Sequence, residues 1–197
     1  MISRRKFCLA AATTVLVPGL ASAGRSADSG FALLRDRALA ALTRHGSKVT
    51  ERDAIGIVDF SLPSRQPRFF ILDLVNGGRE TLFVAHGKGS DPAHSGWLET
   101  FSNAPGSEAT SAGAYLTDAL YVGKHGRSRR LIGLEDRNSN AETRAIVIHG
   151  AWYVSENIVR DRGKLGRSQG CLAVAEHDIE HVLARLGPGR LIYADRV

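Results

Sequence analysis

The sequence predicts a mainly β domain, a sandwich or barrel with a few short flanking helices. Between about residues 55 and 155, short apolar or alternating segments are separated by glycine, proline, asparagine and aspartate, a pattern typical of strands joined by turns. The chain has 197 residues, of which 43% are hydrophobic, and this suits one domain with a buried core. The predicted strands span residues 54–60, 68–75, 80–85, 114–122, 131–134, 145–149 and 190–194.

Helices are predicted on either side of this strand-rich region. The first spans residues 31–45, where apolar residues recur at helical spacing, and Gly46 follows as a stop signal. The second spans residues 179–186, with apolar residues at i, i+3, i+4 and i+7, and Gly-Pro-Gly at residues 187–189 ends it. Asn-Gly-Gly at residues 76–78 predicts a hairpin turn between two of the strands.

The amino-terminal 23 residues have the character of a secretory signal peptide. Arg-Arg-Lys at residues 4–6 is followed by an apolar run over residues 7–17 and by Ala-Ser-Ala at residues 21–23. The apolar run is shorter than the roughly 20 residues that a membrane span requires. The paired arginines are typical of a twin-arginine signal, and an ordinary secretory signal is the alternative. We predict a signal peptide over residues 1–23, a helical segment over residues 24–50 and one domain over residues 51–197.

Such a signal predicts export to the periplasm or cell envelope of a bacterium, without stable insertion into the membrane. Removing residues 1–23 would take away three of the 26 basic residues and none of the 20 acidic ones, so the formal net charge would fall from +6 to +3. A balance this small does not indicate a nucleic-acid partner, and it is compatible with an anionic envelope polymer. The sequence does not indicate an oligomeric state.

The cysteine content points to a single thiol in the exported protein. The chain has two cysteines, Cys8 and Cys171, and Cys8 lies in the predicted signal. The remaining thiol would have no partner for an intramolecular disulfide. In an oxidising compartment, an odd cysteine indicates a reactive thiol or an intermolecular bridge. A buried, inert cysteine is the alternative.

The residues around Cys171 favour a nucleophile. Ser-Gln-Gly precedes this cysteine, and a polar, glycine-rich turn exposes a sulfur while glycine lets a substrate carbonyl approach the backbone. We expect the backbone at Gln169, Gly170 and Cys171 to direct N–H groups at a developing oxyanion. Arg167 and Ser168 are expected to hold an anionic group of the substrate or to favour the thiolate.

A candidate base lies 22 residues before this cysteine, where a predicted strand ends in His149-Gly150. At a strand end, a side chain can leave the core and enter a cleft. An imidazole within hydrogen-bond reach of a thiol can take its proton and later return it to a leaving amine. We predict Cys171 as the nucleophile, His149 as the general base and Gly150 as a further backbone contributor. A hydrogen-bonded core histidine is the alternative for His149.

The pairing of His149-Gly150 with a downstream Ser-Gln-Gly-Cys-Leu at residues 168–172 resembles the catalytic domain of the L,D-transpeptidase or YkuD family, in its murein L,D-transpeptidase branch. The resemblance covers about residues 50–195. It implies a YkuD-like β fold, a cysteine-dependent acyltransferase without a cofactor, and peptidoglycan stem peptides as partners. Further segments similar to that branch lie at residues 86–87, 101–103, 123–126 and 166–168.

The resemblance also implies a reaction. Cys171 would attack the amide after the third residue of a stem tetrapeptide, release the terminal D-alanine and form a thioester. An amine from another stem would then form a 3→3 cross-link, and another amine would exchange the terminal residue or tether a protein. Resolution by water would make the protein an L,D-carboxypeptidase. Two further interpretations are a cysteine peptidase that acts on proteins and a non-catalytic peptidoglycan-binding protein on the same scaffold.

Two positions depart from the family pattern. The histidine that usually precedes Gly-Cys is Gln169 here, and the arginine often found two residues after the cysteine is Ala173. The base role still maps to His149. A substrate carboxylate would then need another cation, for which Arg167 and Arg144 are the candidates.

A long irregular segment over residues 87–113 predicts an ordered loop beside a binding groove. We expect His86 and His125 to line this groove and contact the substrate. With His94, His149 and Cys171, these histidines could instead supply zinc ligands, but their spacing is not that of a zinc motif. No metal site is therefore predicted.

Overall fold

A computed structural model describes residues 20–197, with side chains from residue 30 onward. The basic start and apolar run of the predicted signal fall in residues 1–19 and lie outside the described residues. The described chain consists of strands joined by loops, with helices at both ends of the sequence. The helices are α1 (Leu20–Arg44), α2 (Glu156–Arg162) and α3 (Ile179–Arg185), and the strands are β1 (Ala54–Asp59), β2 (Phe69–Asp73), β3 (Arg79–Leu82), β4 (Gly113–Gly123), β5 (Gly126–Gly133), β6 (Val147–Ala151), β7 (Leu172–Ala175) and β8 (Leu191–Asp195).

These strands form one sheet in the order β3-β2-β1-β8-β4-β5-β6-β7. Neighbours are antiparallel except for the β1–β8 and β6–β7 pairs, which are parallel. The chain after β3 crosses to the opposite edge, where Ala85 pairs with Ala173 and Gly87 with Ser168 in isolated bridges. The two edges of the curled sheet therefore meet, and the predicted mainly β fold of the sandwich or barrel type is confirmed.

The sheet separates two apolar cores. On one face, Leu34 of α1 packs in a cluster with Ile55 and Ile57 of β1. On the other face, Val58 belongs to a cluster with Val182 of α3. Successive strand residues point to opposite faces, and burying each such side chain stabilises the fold by about 1.5–3 kcal/mol. Helix α1 is therefore part of the domain that holds the site.

Two strands differ from the prediction. Strand β5 begins at Gly126, earlier than the predicted residue 131, because β4 and β6 take up the backbone hydrogen bonds of its polar first half. Strand β7 was not predicted. Its four residues, Leu-Ala-Val-Ala, directly follow Cys171. They are too few to show the alternation of apolar and polar residues from which a strand is predicted. Both differences concern the part of the sheet that carries the candidate site.

The helices also differ in extent from the prediction. Helix α1 begins at Leu20, so the predicted cleavage region at residues 21–23 lies in its first turns. Helix α2 was not predicted, because none of its residues is buried and it has no apolar stripe. Its capping signals are present: the Ser155 hydroxyl accepts a hydrogen bond from the Ile158 N–H, and Gly163 closes the helix in a left-handed conformation. Within residues 20–197, no helix combines the length and the apolar character that crossing a membrane requires.

Candidate active site

His149 lies in β6, and Cys171 directly precedes the neighbouring parallel strand β7 at one edge of the sheet. In the β6–β7 register, Ile148 lies beside Leu172, and His149 lies beside Ala173. Because side chains alternate between faces, Ile148 and Leu172 enter the core, while Cys171 and His149 project to the opposite face. Both side chains line the same cavity, which has a volume of about 320 Å³. We call it the Cys171 cavity.

The turn formed by residues 168–171, the cysteine turn, is held by its own side chains. The Ser168 hydroxyl donates to the Cys171 carbonyl at 2.7 Å and accepts from the Gly170 N–H at 3.2 Å. Gly170 has a φ of +110°, and a Cβ at this position would lie 2.8 Å from the Ala109 carbonyl oxygen, so glycine is required here. The Gly170 N–H, expected at the oxyanion, is therefore paired within the turn.

The cysteine turn is also held from outside, by the chain that crosses from β3. The Ser168 N–H donates to the His86 carbonyl at 2.9 Å, and the Lys88 N–H donates to the Ser168 carbonyl at 2.8 Å. Backbone hydrogen bonds thus hold the turn from a second segment, about 80 residues earlier in the sequence. These hydrogen bonds fix the backbone position of Cys171.

The Cys171 thiol is neutral at rest. Its sulfur lies 3.8 Å from the carbonyl oxygen of Ala145, a residue with a φ of 53° that non-glycine residues rarely adopt. Burial raises the pKa of the thiol, while the Val147 N–H and the charges on Lys124 and Arg144 act in the opposite direction. The free thiol therefore remains protonated near neutral pH, with two cations placed to stabilise a thiolate when one forms.

His149 is held in a defined tautomer. Its Nδ1 lies 2.8 Å from the Gly150 carbonyl oxygen, and because a carbonyl only accepts, the proton of the neutral ring is on Nδ1. The pKa of His149 falls to about 4, mainly because of burial and with smaller contributions from the charges on His125 and Lys124, against the opposing effect of the Gly150 hydrogen bond. At neutral pH the ring is uncharged and its Nε2 carries a lone pair that can accept a proton. The Gly150 carbonyl thus orients the candidate base.

The β4–β5 hairpin covers the Cys171 cavity with its two tip residues, Lys124 and His125, which we call the hairpin tip. The His125 ring stacks on the His149 ring, with centroids 4.1 Å apart and planes inclined by 18°. The Lys124 ammonium donates to the Gln169 side-chain oxygen at 3.4 Å, and the Gln169 amide donates to the Glu108 carboxylate at 3.0 Å. Gln169 therefore connects the hairpin to the long loop through its side chain.

Arg144 and Arg167 line the cavity and fasten the long loop over residues 87–112. Arg144 donates to the Ser102 carbonyl at 2.8 Å and to the Ser111 hydroxyl at 2.6 Å. Arg167 donates to the carbonyl oxygens of two successive loop residues, Asp91 and Pro92. Both side chains line the cavity, and part of their hydrogen-bonding capacity is used to hold the loop.

His86 lies behind the cysteine turn and not in the cavity, in contrast to its expected position in the groove. Its Nδ1 is 2.8 Å from an Arg68 nitrogen, and its Nε2 is 3.3 Å from the Asp91 carboxylate. All three side chains are buried. Both nitrogens of the His86 ring have polar partners inside the protein, so this histidine links buried groups.

The cavity contains further residues for which the sequence predicts no role: Tyr121, Lys124 and Tyr153. Tyr121 and Lys124 come from the β4–β5 hairpin, for which Gly-Lys-His-Gly at residues 123–126 was the available signal. Tyr153 follows β6 by two residues, and burial raises its pKa to about 12, so its hydroxyl stays neutral. Sequence periodicity alone does not identify such positions, because they depend on how the hairpin folds over β6.

The histidines considered as zinc ligands have other partners. His94 bonds the Leu165 carbonyl at 2.9 Å, His86 contacts Arg68 and Asp91, and His125 stacks on His149. In the part of the chain that the structure describes, no three side chains of histidine, cysteine, aspartate or glutamate are grouped so that they could hold a metal ion.

Solved structures similar to this chain include several L,D-transpeptidases. One from Mycobacterium smegmatis is 12% identical, with a TM-score of 0.45 over 73% of this chain and 58% of that one. One from Xylanimonas cellulosilytica is 12% identical, with a TM-score of 0.44 over 74% and 62%. The helical cell shape determining protein Pgp2 from Campylobacter jejuni is 14% identical, with a TM-score of 0.46 over 79% and 53%. The matched part is less than two thirds of each of these chains.

The search of curated proteins found no match. The family model described as the L,D-transpeptidase catalytic domain, of the YkuD type, matches residues 30–194. This range includes most of α1, the whole sheet except the last residue of β8, and all the residues of the Cys171 cavity. The chain therefore belongs to the L,D-transpeptidase catalytic domain family.

Proposed function

We propose that this protein is a peptidoglycan L,D-transpeptidase that works through a thioester on Cys171. Members of its family are cysteine-dependent enzymes that act on peptidoglycan in the cell envelope. The observation that carries the proposal is the pairing of β6 with β7, which turns the Cys171 thiol and the His149 ring into one cavity. The His149 tautomer leaves Nε2 free for the thiol proton.

In the first step, Nε2 of His149 takes the thiol proton as the sulfur attacks the amide carbonyl after the third residue of a stem tetrapeptide. The carbonyl becomes a tetrahedral oxyanion, and the C–N bond then breaks. His149 returns the proton to the departing amine of D-alanine. The products of this half-reaction are a Cys171 thioester and free D-alanine.

The resting state of this pair is a neutral thiol beside a neutral imidazole. Burial acts on both groups, raising the pKa of Cys171 and lowering that of His149 to about 4. An ion pair formed in advance is therefore disfavoured, and proton transfer accompanies attack on the bound substrate. Lys124 and Arg144 stabilise the negative charge as it develops on the sulfur.

For the oxyanion we propose the backbone N–H of Cys171 in place of that of Gly170. The Gly170 N–H is already bonded to the Ser168 hydroxyl. Backbone donors near a nucleophile are effective because they need no reorganisation when charge develops. Gln169 contributes through its side chain, which is hydrogen bonded to Lys124 and Glu108.

The charge of the cavity suits a donor peptide with carboxylate groups. Lys124, Arg144 and Arg167 all line it, and they come from the hairpin, the segment before β6 and the segment that leads into the cysteine turn. Ala173 is fully buried against Ala85, so the cation expected at that position in the family is replaced by cations from other elements. We propose that these three side chains bind the carboxylates of the stem.

In the second step, an amine of a neighbouring stem attacks the thioester and forms a 3→3 cross-link, or a free amino acid exchanges the terminal D-residue. Attack by water instead would give an L,D-carboxypeptidase. We further propose export of the protein to the periplasm through cleavage of residues 1–23. Cell fractionation of the native chain and of an Arg4→Lys, Arg5→Lys double variant tests the twin-arginine route.

Incubation of the mature protein with purified tetrapeptide muropeptides, followed by mass spectrometry, tests the proposed chemistry. We expect loss of D-alanine, 3→3 dimers, and a covalent adduct on Cys171 when the reaction is quenched early. Cys171→Ala should abolish all three, whereas Cys8→Ala, which changes a residue of the proposed signal, should have no effect on the exported protein. An active Cys171→Ala variant, or a wild-type protein that binds muropeptides without turnover, would reject the proposal.

A further inference from the structure

The hairpin tip places a second imidazole against the candidate base. The His125 and His149 rings are 4.1 Å apart and nearly parallel, and the two residues lie on different parts of the sheet. We propose that His125 is a positioning residue, which fixes the ring plane of His149 through face-to-face stacking and, when neutral, keeps that ring free to take the Cys171 proton. This inference rests on the proposed role of His149 as the base.

The fold brings the two rings together through strand register. Ser128 of β5 pairs directly with His149 of β6, and His125 precedes Ser128 by three residues, at the hairpin tip. Gly126 follows with a φ of +74°, which lets the chain turn tightly between Gly123 and Gly126, the last pair of the hairpin. The tip is therefore bent back over β6, with one face of His125 on the base.

Two contacts together define the orientation of the His149 ring. The hydrogen bond from Nδ1 to the Gly150 carbonyl fixes one edge, but a ring held by a single hydrogen bond can still rock about it. Stacking of His125 on the ring face removes that freedom, because offset stacked rings hold a preferred separation and tilt. With the plane set, Nε2 points along one direction in the cavity. A general base needs that geometry before its basicity matters.

The charge on His125 determines whether the stack assists the base. Two neutral rings stack favourably, whereas a protonated His125 places a cation against the ring that must accept a proton. His125 is exposed on its other face and so can exchange protons with solvent. The charge environment includes the other titratable and charged side chains around the cavity: Tyr121 and Lys124 from the hairpin, Arg144 from the segment before β6, Tyr153 from the segment after it, Arg167 just before the cysteine turn, and Cys171 at the end of that turn.

The test measures alkylation of Cys171 by iodoacetamide against pH in the mature protein, which needs no peptidoglycan substrate. We expect His125→Ala to lower the plateau rate by about two- to tenfold, the fold-change that corresponds to one stacked aromatic pair. His125→Phe keeps a ring on the face of His149 and should retain most of the rate. In both variants the acid limb should move to higher pH, because loss of the neighbouring cation raises the pKa of His149.

A second readout separates positioning from a general loss of structure. Long-range ¹⁵N–¹H correlation spectra report which nitrogen of His149 carries the proton, and His125→Ala should give a mixture of tautomers where the wild type and His125→Phe give Nδ1–H. His177, a surface histidine with a side chain that is 76% exposed, supplies the matched control His177→Phe. Equal losses in His125→Ala and His125→Phe, an unchanged rate and tautomer in His125→Ala, or the same loss in His177→Phe would each overturn the inference.

The two proposals fail in different ways. If the wild-type protein does not process muropeptides, the proposed function fails, while alkylation and the His149 tautomer still report on the stack. If muropeptides are processed normally and His125→Ala has no effect on alkylation, only the positioning role fails.

Discussion

Two buried histidines lie close to the cysteine turn, and their comparison shows what distinguishes a candidate base from a structural residue. His149 and His86 are each 1% exposed, and burial lowers the pKa of both to about 4. They differ in their hydrogen bonds. His86 has partners on both ring nitrogens, Arg68 and Asp91, whereas His149 bonds the Gly150 carbonyl through Nδ1 and turns the rest of its ring toward a cavity. The two histidines have the same burial and the same lowered pKa. What distinguishes the candidate base is a ring nitrogen that remains available to accept a proton.

Of the substitutions that test this comparison, replacement of His149 should have the largest effect on activity. His149→Ala should lower turnover of tetrapeptide muropeptides by about 10²- to 10⁴-fold, the range for removal of a general base. The measurement is initial rate by chromatography, normalised to the folded fraction from thermal unfolding. His177→Ala is the control and should keep the wild-type rate. A fall below tenfold in His149→Ala would contradict the base assignment.

Replacing His86 should instead affect stability. His86→Ala removes one buried hydrogen-bond partner each from Arg68 and Asp91, which keep their other partners, and the loss of such a buried partner costs about 1–3 kcal/mol. Urea denaturation measures this loss, and we expect turnover per folded molecule to stay within a few-fold of wild type. If His86→Ala lost as much activity per folded molecule as His149→Ala, the distinction between the two histidines would disappear.

The pH dependence of stability should reveal both histidines together. The pKa of each falls from an ordinary value of 6.5 to about 4 in the folded protein, so the unfolded chain binds more protons between these values. Stability is complete above pH 6.5 and declines as the pH falls toward 4. Between pH 6.5 and 5 each histidine should remove about 1.5 kcal/mol from the free energy of unfolding.

Urea denaturation at both pH values measures this decline in the wild type, His86→Gln and His149→Gln. Each variant should lose roughly half of the dependence that the two histidines contribute, because each removes one titrating ring. A variant with the full wild-type dependence would show that its histidine is not buried as a neutral group.

The smallest expected effect concerns Gln169, which joins the hairpin to the long loop near His149. Gln169→Ala removes hydrogen bonds to Lys124 and Glu108 and should raise KM by about two- to fivefold, the size expected for exposed hydrogen bonds. The value of kcat should change less. Gln66→Ala, at an exposed glutamine elsewhere, should leave both parameters unchanged. A large fall in kcat for Gln169→Ala would assign this side chain to the reaction itself.

Much of the β fold could be predicted from sequence because its signals are local. Strands such as β1 and β8 are short apolar runs bounded by turn residues, and each overlaps its predicted range. The juxtaposition of Cys171 and His149 was predicted from two short motifs, one before a turn and one at a strand end. The roles of these two residues remain predictions until the variants are measured.

The position of His86 could not be predicted in the same way. Its surroundings depend on Arg68, which precedes it by 18 residues, and on the fold of the long loop that carries Asp91. A histidine followed by glycine has the same local sequence whether it lines a groove or pairs with buried charges. The stack of His125 on His149 is equally non-local, because it requires the register of β5 on β6.

The bridges between Ala85 and Ala173 and between Gly87 and Ser168 connect the turn that carries Cys171, the proposed nucleophile, to the segment that joins the two edges of the sheet. The Cys171 sulfur lies near the place where the two edges of the sheet are joined. Residues 85–88 form backbone hydrogen bonds with the cysteine turn, which lies far away in sequence. A substitution in residues 85–88 would therefore act directly on the turn that carries Cys171. The reactivity of Cys171 should therefore report whether the two edges of the sheet are joined.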